Sequence, residues 1–252
     1  MEARDPINRI CRAVIQDQTE APRGALSGRV AVVVGGASGI GRTVARALAR
    51  QGARVVIADF DAERLERTVD EILRLGSADA ALALPTDIRS DSSVRSLAAD
   101  AIKAMGGVDV LINMAGVFLQ GPLDRIKPGD WKWMLETNLL GTVRTTLAFL
   151  PHMVERGRGH IVNAISTGDS PVTVAYDSGA AAVAAFTRGL AAEVERKGVR
   201  VSLYAIGPDG PRIGSNTRTR GMGRLLHPAD DLEEASAPNG QLVDELIAII
   251  DR

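Results

Sequence analysis

Seven residues, Gly35-Gly36-Ala37-Ser38-Gly39-Ile40-Gly41, join a wholly apolar run to a helical pattern, and an acid, Asp59, follows twenty-four residues after Gly35. The run before the turn, Val30 to Val34, reads as a strand buried on both faces, because no polar residue alternates along it. After the turn, Ile40, Val44, Ala47 and Leu48 recur at helical spacing, with Arg42, Arg46 and Arg50 on the opposite face. Gly52 closes that helix, and residues 54–58 form a second apolar strand stopping at Asp59. Glycines in such a turn let backbone amides approach a pyrophosphate, whose charge the helix N-terminus favours. An acid at the tip of the second strand accepts hydrogen bonds from both hydroxyls of an adenosine ribose and repels a 2′-phosphate. The pattern therefore predicts a site for NAD rather than NADP, held by Gly35, Ser38, Gly39, Ile40, Gly41 and Asp59.

From Arg29 onward strand and helix patterns alternate, which specifies an α/β fold of Rossmann type: a doubly wound parallel sheet with helices on both faces. Strands are expected at 29–34, 54–58, 79–84, 108–112, 160–165 and 199–206. Residues 28–252 are expected to form one dinucleotide-binding domain, a size sufficient for a full core. Residues 1–27 read as an extension. In it Asp5 caps a helix opened by Pro6, and Ile7, Ile10, Cys11, Val14 and Ile15 make an apolar stripe that must pack on the domain or on another subunit. Asp59, Asp87, Asn113 and Ser166 each fall just past the C-terminal end of an apolar strand, as the glycine turn does. In an open parallel sheet those ends share one edge, where ligands bind.

Charge and composition narrow the partners. With 30 basic and 31 acidic residues, the arginines scattered, nothing favours nucleic acid or an anionic membrane. Cys11 is the only cysteine, which suits a reducing compartment. Neither a signal-peptide core nor a bilayer-length apolar stretch is present, so a cytoplasmic location is expected. His152, His160 and His227 lack metal-ligand spacing and are expected on the solvated surface.

With these residues in place the chain resembles the short-chain dehydrogenase/reductase family over roughly residues 28–210. The family's glycine turn appears as VGGASGIG, with Val34 where threonine is usual. Asp87-Ile88 is similar to the pair that contacts adenine, and Asn113-Met114-Ala115-Gly116 to the NNAG segment, its second asparagine replaced. The resemblance thus adds Asp87, Ile88, Asn113, Ala115 and Gly116 to the cofactor contacts. Trp131 and Glu136 to Gly141 match the central helix, which puts Asn138 at the active-site asparagine. Gly159 to Ser166 resembles the strand that ends in the catalytic serine, and Tyr176 matches the catalytic tyrosine. What this implies is NAD(H)-dependent reduction of a carbonyl, or oxidation of an alcohol, on a small molecule. Tyr176 would donate the proton, Ser166 would orient the substrate oxygen and Asn138 would support the site. Assembly as a homo-oligomer is implied as well, with the small-residue run Gly179 to Ala185 packing close helices at a subunit contact.

The departures from the family are equally specific. Its lysine, four residues after the tyrosine, is Ala180 here. An ammonium at that distance lowers a neighbouring pKa by ~1–3 units, so Tyr176 is expected near the free value of ~10. Tyrosinate, the base for alcohol oxidation, is then scarce, whereas the phenol needed for ketone reduction stays abundant. Arg212, Arg218 and Arg220 are candidates to replace the lost cation. Ser166 and Tyr176 are ten residues apart, a short loop for the family, and the 44 residues after Pro208 are too few for the family's usual substrate loop, its helices and a seventh strand together. Two other readings stay open: a redox-neutral enzyme using Tyr176 with Asp177 or Asp169, and a silent NAD-binding subunit partnered with an active relative in a hetero-oligomer.

Overall fold

The computed structural model describes residues 24–74, 81–166, 170–206, 217–221 and 238–251. The expected N-terminal helix with Cys11, and also Asp169, Arg212 and His227, lie outside them. Val30–Val34 (β1) leads through the glycine turn into Gly39–Arg50 (α1), followed by Arg54–Asp59 (β2), Ala62–Leu73 (α2), Ala81–Pro85 (β3), Asp91–Met105 (α3) and Val110–Asn113 (β4). Phe118–Gln120 (β5) precedes a long helix of three parts: Pro128–Leu135 (α4), a widened π turn over Glu136–Leu140, and Gly141–Glu155 (α5). Gly159–Ser166 (β6), Val174–Val194 (α6), Val199–Ile206 (β7), Thr217–Thr219 (β8) and Pro238–Asp251 (α7) complete the order.

Six strands form one parallel sheet in the order β3-β2-β1-β4-β6-β7. The chain winds one way from β1 to β3 and the other from β4 to β7, so the reversal falls between β1 and β4, beside the glycine turn. The expected strands are all present, the last at 199–206 as expected and the others with ends shifted by one or two residues. β2 and β4 run one residue further, because Asp59 still pairs with Pro85 and Asn113 with Val34. Among the described residues no seventh strand joins the sheet.

Strand alternation divides the core. Ala31 and Val33 face a cluster with Leu48, Leu65, Ile72 and, from α7, Val243, Leu246 and Ile250. Val30, Val32 and Val34 face the other layer, with Leu97, Phe149, Met153 and Val194. Each such side chain taken from water contributes roughly 1.5–3 kcal/mol. Gly179 belongs to the packing inside this chain: a Cβ there would stand 2.7 Å from the sulfur of Met134, so its absence lets α6 approach α4.

The histidines differ from expectation. His160 is buried, its Nδ1 accepting from Arg200 Nη2 (2.9 Å), which leaves the proton on Nε2 to be donated to Ser202 Oγ (2.8 Å). Burial, then the Arg200 and Arg29 charges, push its pKa down to about 4. His152 Nε2 accepts from the backbone N–H of Val108 (3.2 Å), and partial burial followed by Arg156 lowers its pKa too. The spacing of histidines along the sequence carries no information on their burial at strand and helix ends.

Candidate active site

All six sheet strands are parallel, so their C-terminal ends meet at one edge, and the side chains singled out above converge there. Gly35 leaves β1 in the left-handed region (φ +80°), donating its N–H to Ala58 O (2.7 Å). A Cβ on Gly35 would come within 2.6 Å of the Ala115 backbone, so the glycine turn and the turn after β4 touch. At Gly41 a Cβ would land on the Gly35 carbonyl, which is why the helix can start so close to the strand. Ser38 is the N-cap of α1 but makes no side-chain capping bond, and the first turn holds no acid. Free N–H groups thus meet an uncompensated positive dipole end, as a pyrophosphate requires. Nothing lies within 4 Å of a Cβ built on Gly39, and Ile40 packs against the core below.

Asp59 closes this cradle. Its Oδ2 accepts from Ala37 N in the glycine turn (3.2 Å) and its Oδ1 from Asp61 N (3.3 Å). Burial raises its pKa, against the pull of those backbone donors. With Ala37, Phe60 and Asp61 donating from the backbone, the carboxylate still keeps acceptor capacity for a ribose hydroxyl. This donor and acceptor set fits an adenosine diphosphate moiety.

The other cofactor candidates are more committed. Asp87 is held by Arg89, at 2.9 Å through Nε and 2.7 Å through Nη2, and this partner keeps its carboxyl below the usual range. Ile88 is buried, its side chain set against Gly141. Asn113 turns its amide inward: Nδ2 donates to Asn163 Oδ1 (2.9 Å), Oδ1 accepts from Thr145 Oγ1 (2.7 Å), and Asn163 continues to Thr187 (3.0 Å). This buried chain of amides and hydroxyls ties β4 to β6, α5 and α6. Ala115 and Gly116 are half-buried in the turn that Gly35 touches.

Asn138 sits in the π turn, where its amide clasps one peptide unit: Oδ1 accepts from Val117 N (2.8 Å) and Nδ2 donates to Val117 O (2.9 Å). It thereby fixes the stretch between Gly116 and Phe118. Ser166 ends β6, and despite the short loop its side chain hydrogen-bonds Tyr176. Tyr176 lies in the first turn of α6 with the Phe118 ring edge-on at 4.6 Å. Its surroundings differ from the expected free value. Burial pushes the phenol up to about 12, and the Asp177 charge adds to that against the Ser166 bond. Ala180, one turn on, is buried and supplies no charge.

Arg218 and Arg220 do not fill that gap, because both attend Asp130. Arg220 binds it through Nε (3.0 Å) and Nη2 (2.6 Å), while Arg218 stands 3.6 Å from it and stacks 3.8 Å over Trp133. Phe118, Asn163 and Asp130 were not singled out in the sequence. Only the acid three residues after Lys127, at the start of a helix opened by Pro128, was a local signal for Asp130.

A family model described as short chain dehydrogenase matches residues 29–219. The chain belongs to the short-chain dehydrogenase family. Among its relatives in this family is (2S)-[(R)-hydroxy(phenyl)methyl]succinyl-CoA dehydrogenase subunit BbsD of Thauera aromatica, 38% identical over 188 residues, covering 72% of this chain and 73% of that protein. An uncharacterized oxidoreductase of Staphylococcus aureus (strain USA300) is 35% identical over 185 residues, covering 72% and 78%. Among solved structures, a metagenomic short-chain oxidoreductase in complex with NADP superposes with TM-score 0.71 at 31% identity, covering 91% of this chain and 93% of that one. A family member from Burkholderia phymatum in complex with NAD gives TM-score 0.69 at 32% identity, covering 73% and 66%. No helix among the described residues is long and apolar enough to cross a membrane.

Proposed function

We propose that this short-chain dehydrogenase is an NAD(H)-dependent oxidoreductase that favours reduction of a small-molecule carbonyl. The carrying observation is the Asp59 carboxylate bonded into the glycine turn, at the same sheet edge as the Ser166–Tyr176 pair. Gly35, Ser38, Gly39, Ile40 and Gly41 would receive the diphosphate and Asp59 the adenosine ribose, with the Asp87, Ile88, Asn113, Ala115 and Gly116 segments flanking it. A bound nicotinamide supplies or accepts hydride at the substrate carbon. Ser166 would hold the substrate oxygen with its hydroxyl. Tyr176 would give that oxygen its proton, which a phenol of raised pKa still does because the alcohol formed is the weaker acid. Asn138 supports both through Val117.

The test is a fluorescence titration with NADH and NADPH. NADH is expected to bind at least about tenfold more tightly, and Asp59→Asn to erase the difference, because the charge that repels a 2′-phosphate is gone. Equal or tighter NADPH binding by the unaltered protein would refute the NAD assignment.

A second reading is favoured by Ala180, which leaves a buried tyrosine without a neighbouring cation among the described residues. In it the chain is an NAD-binding subunit of low activity that assembles with an active relative, and BbsD is itself named a subunit. Restoration of turnover by Ala180→Lys would support the enzyme reading; tight NADH binding with no turnover before or after that change would support the subunit.

A further inference from the structure

β5 and β8 are three residues each, and they pair in parallel, Phe118 with Thr217 and Gln120 with Thr219. A two-stranded ribbon this short does not hold itself together in water. Its staples lie outside the backbone ladder. Arg220 forks onto Asp130, a carboxylate only 5% exposed that also accepts from Lys127 N as the helix-start acid of α4. Gln120 Nε2 donates to Thr219 Oγ1 (3.0 Å), and Arg220 N donates to Gln120 O (3.0 Å). The same ribbon reaches the reacting group at two points. Gly121 N donates to Val172 O (2.7 Å), just before α6, and the Phe118 ring rests edge-on against Tyr176.

We infer that Asp130 and Arg220 are positioning residues for Tyr176: their bond clamps β8 onto β5, and β5 in turn holds Phe118 against the phenol that bonds Ser166. Neither residue touches the site. A planar guanidinium bound through two nitrogens fixes direction as well as distance, and a lysine keeps the charge while losing the fork. Arg218, two residues earlier within β8 and stacked on Trp133, backs the clamp from the strand itself. This inference rests on the reading of Tyr176 as proton donor, but the contact it concerns is measurable without turnover.

The experiment is NMR on full-length protein with labelled phenylalanine and tyrosine at neutral pH, where two tyrosines and four phenylalanines keep the ring–ring region sparse. Arg220→Met and Asp130→Asn are each expected to weaken the Phe118–Tyr176 cross-peak by at least about half, with NADH affinity within about twofold of the unaltered protein. Arg220→Lys, which keeps the charge but loses the fork, is expected to lose less of the cross-peak than Arg220→Met but to fall below the unaltered protein. If Arg220→Met does not fold, Asp130→Asn and Thr219→Val, which removes the Gln120 bond, serve in its place. An undiminished cross-peak in a folded clamp variant would overturn the inference. So would an equal loss in Arg67→Met, which breaks an exposed pair on α2 and would reveal general loosening. Failure of the unaltered protein to bind NADH would strike the functional reading and leave this measurement standing.

Discussion

Tyr176 shows what one residue's surroundings decide. Its place after the fifth sheet strand was legible, as was the missing ammonium at Ala180. Its further shift to about 12 was not, because that comes first from burial among distant segments, with the Asp177 charge adding to it. The consequence is directional. Reduction uses the neutral phenol, which persists at every pH well below 12, so its rate should stay flat between pH 6 and 9. Oxidation uses the tyrosinate, only about 1 in 100,000 of the molecules at neutral pH, and should climb about tenfold per pH unit over that range. Ala180→Lys should lower the pKa by ~1–3 units and raise oxidation most. Initial rates in both directions at saturating cofactor check this, and a flat oxidation profile would contradict it.

Among the elements, the glycine turn is the part best read from local pattern. Apolar run, glycines and helical stripe are contiguous, and each imposes its own geometry without help from distant residues. The close approach of Gly35 to Ala115 adds a constraint visible only in three dimensions. Gly35→Ala combines a left-handed backbone with a clash and should cost ~1–3 kcal/mol in strain. It should also weaken NADH binding at least about tenfold, because the turn must shift. Ser38→Ala, at a cap that makes no side-chain bond, should leave stability nearly unchanged. Urea denaturation with NADH titration compares the two. β5 and β8 stand at the other extreme. Three residues carry no readable period, and their partner strands are nearly a hundred positions apart. Asn138 is intermediate: its match to the family was legible, but its clasp on Val117 depends on a π turn that no propensity signals.

At the scale of the molecule, the far edge of the sheet is closed by α7, whose Ile250 carbonyl accepts from Arg200 (3.1 Å) and Arg29 (3.4 Å), with His160 against Arg200. Folded His160 stays neutral down to about pH 4, whereas the unfolded chain takes up the proton near 6.5. Stability should therefore be unaffected by this group above pH 7 and fall by about 2–3 kcal/mol between pH 7 and 4.5. His160→Gln should remove that part of the loss, as urea midpoints at the two pH values would show; an unchanged loss would refute it. The strands themselves, their parallel arrangement with a shared edge and the residues at their tips were set by local hydrophobic period and by glycine spacing, since parallel crossovers leave few other arrangements. Burial of His160, the inward turn of Asn113, the engagement of Arg218 and Arg220 by Asp130, and the environment of Tyr176 were decided by packing between distant segments. A side chain's solvation is a property of what folds over it, which no neighbouring residue in the chain encodes.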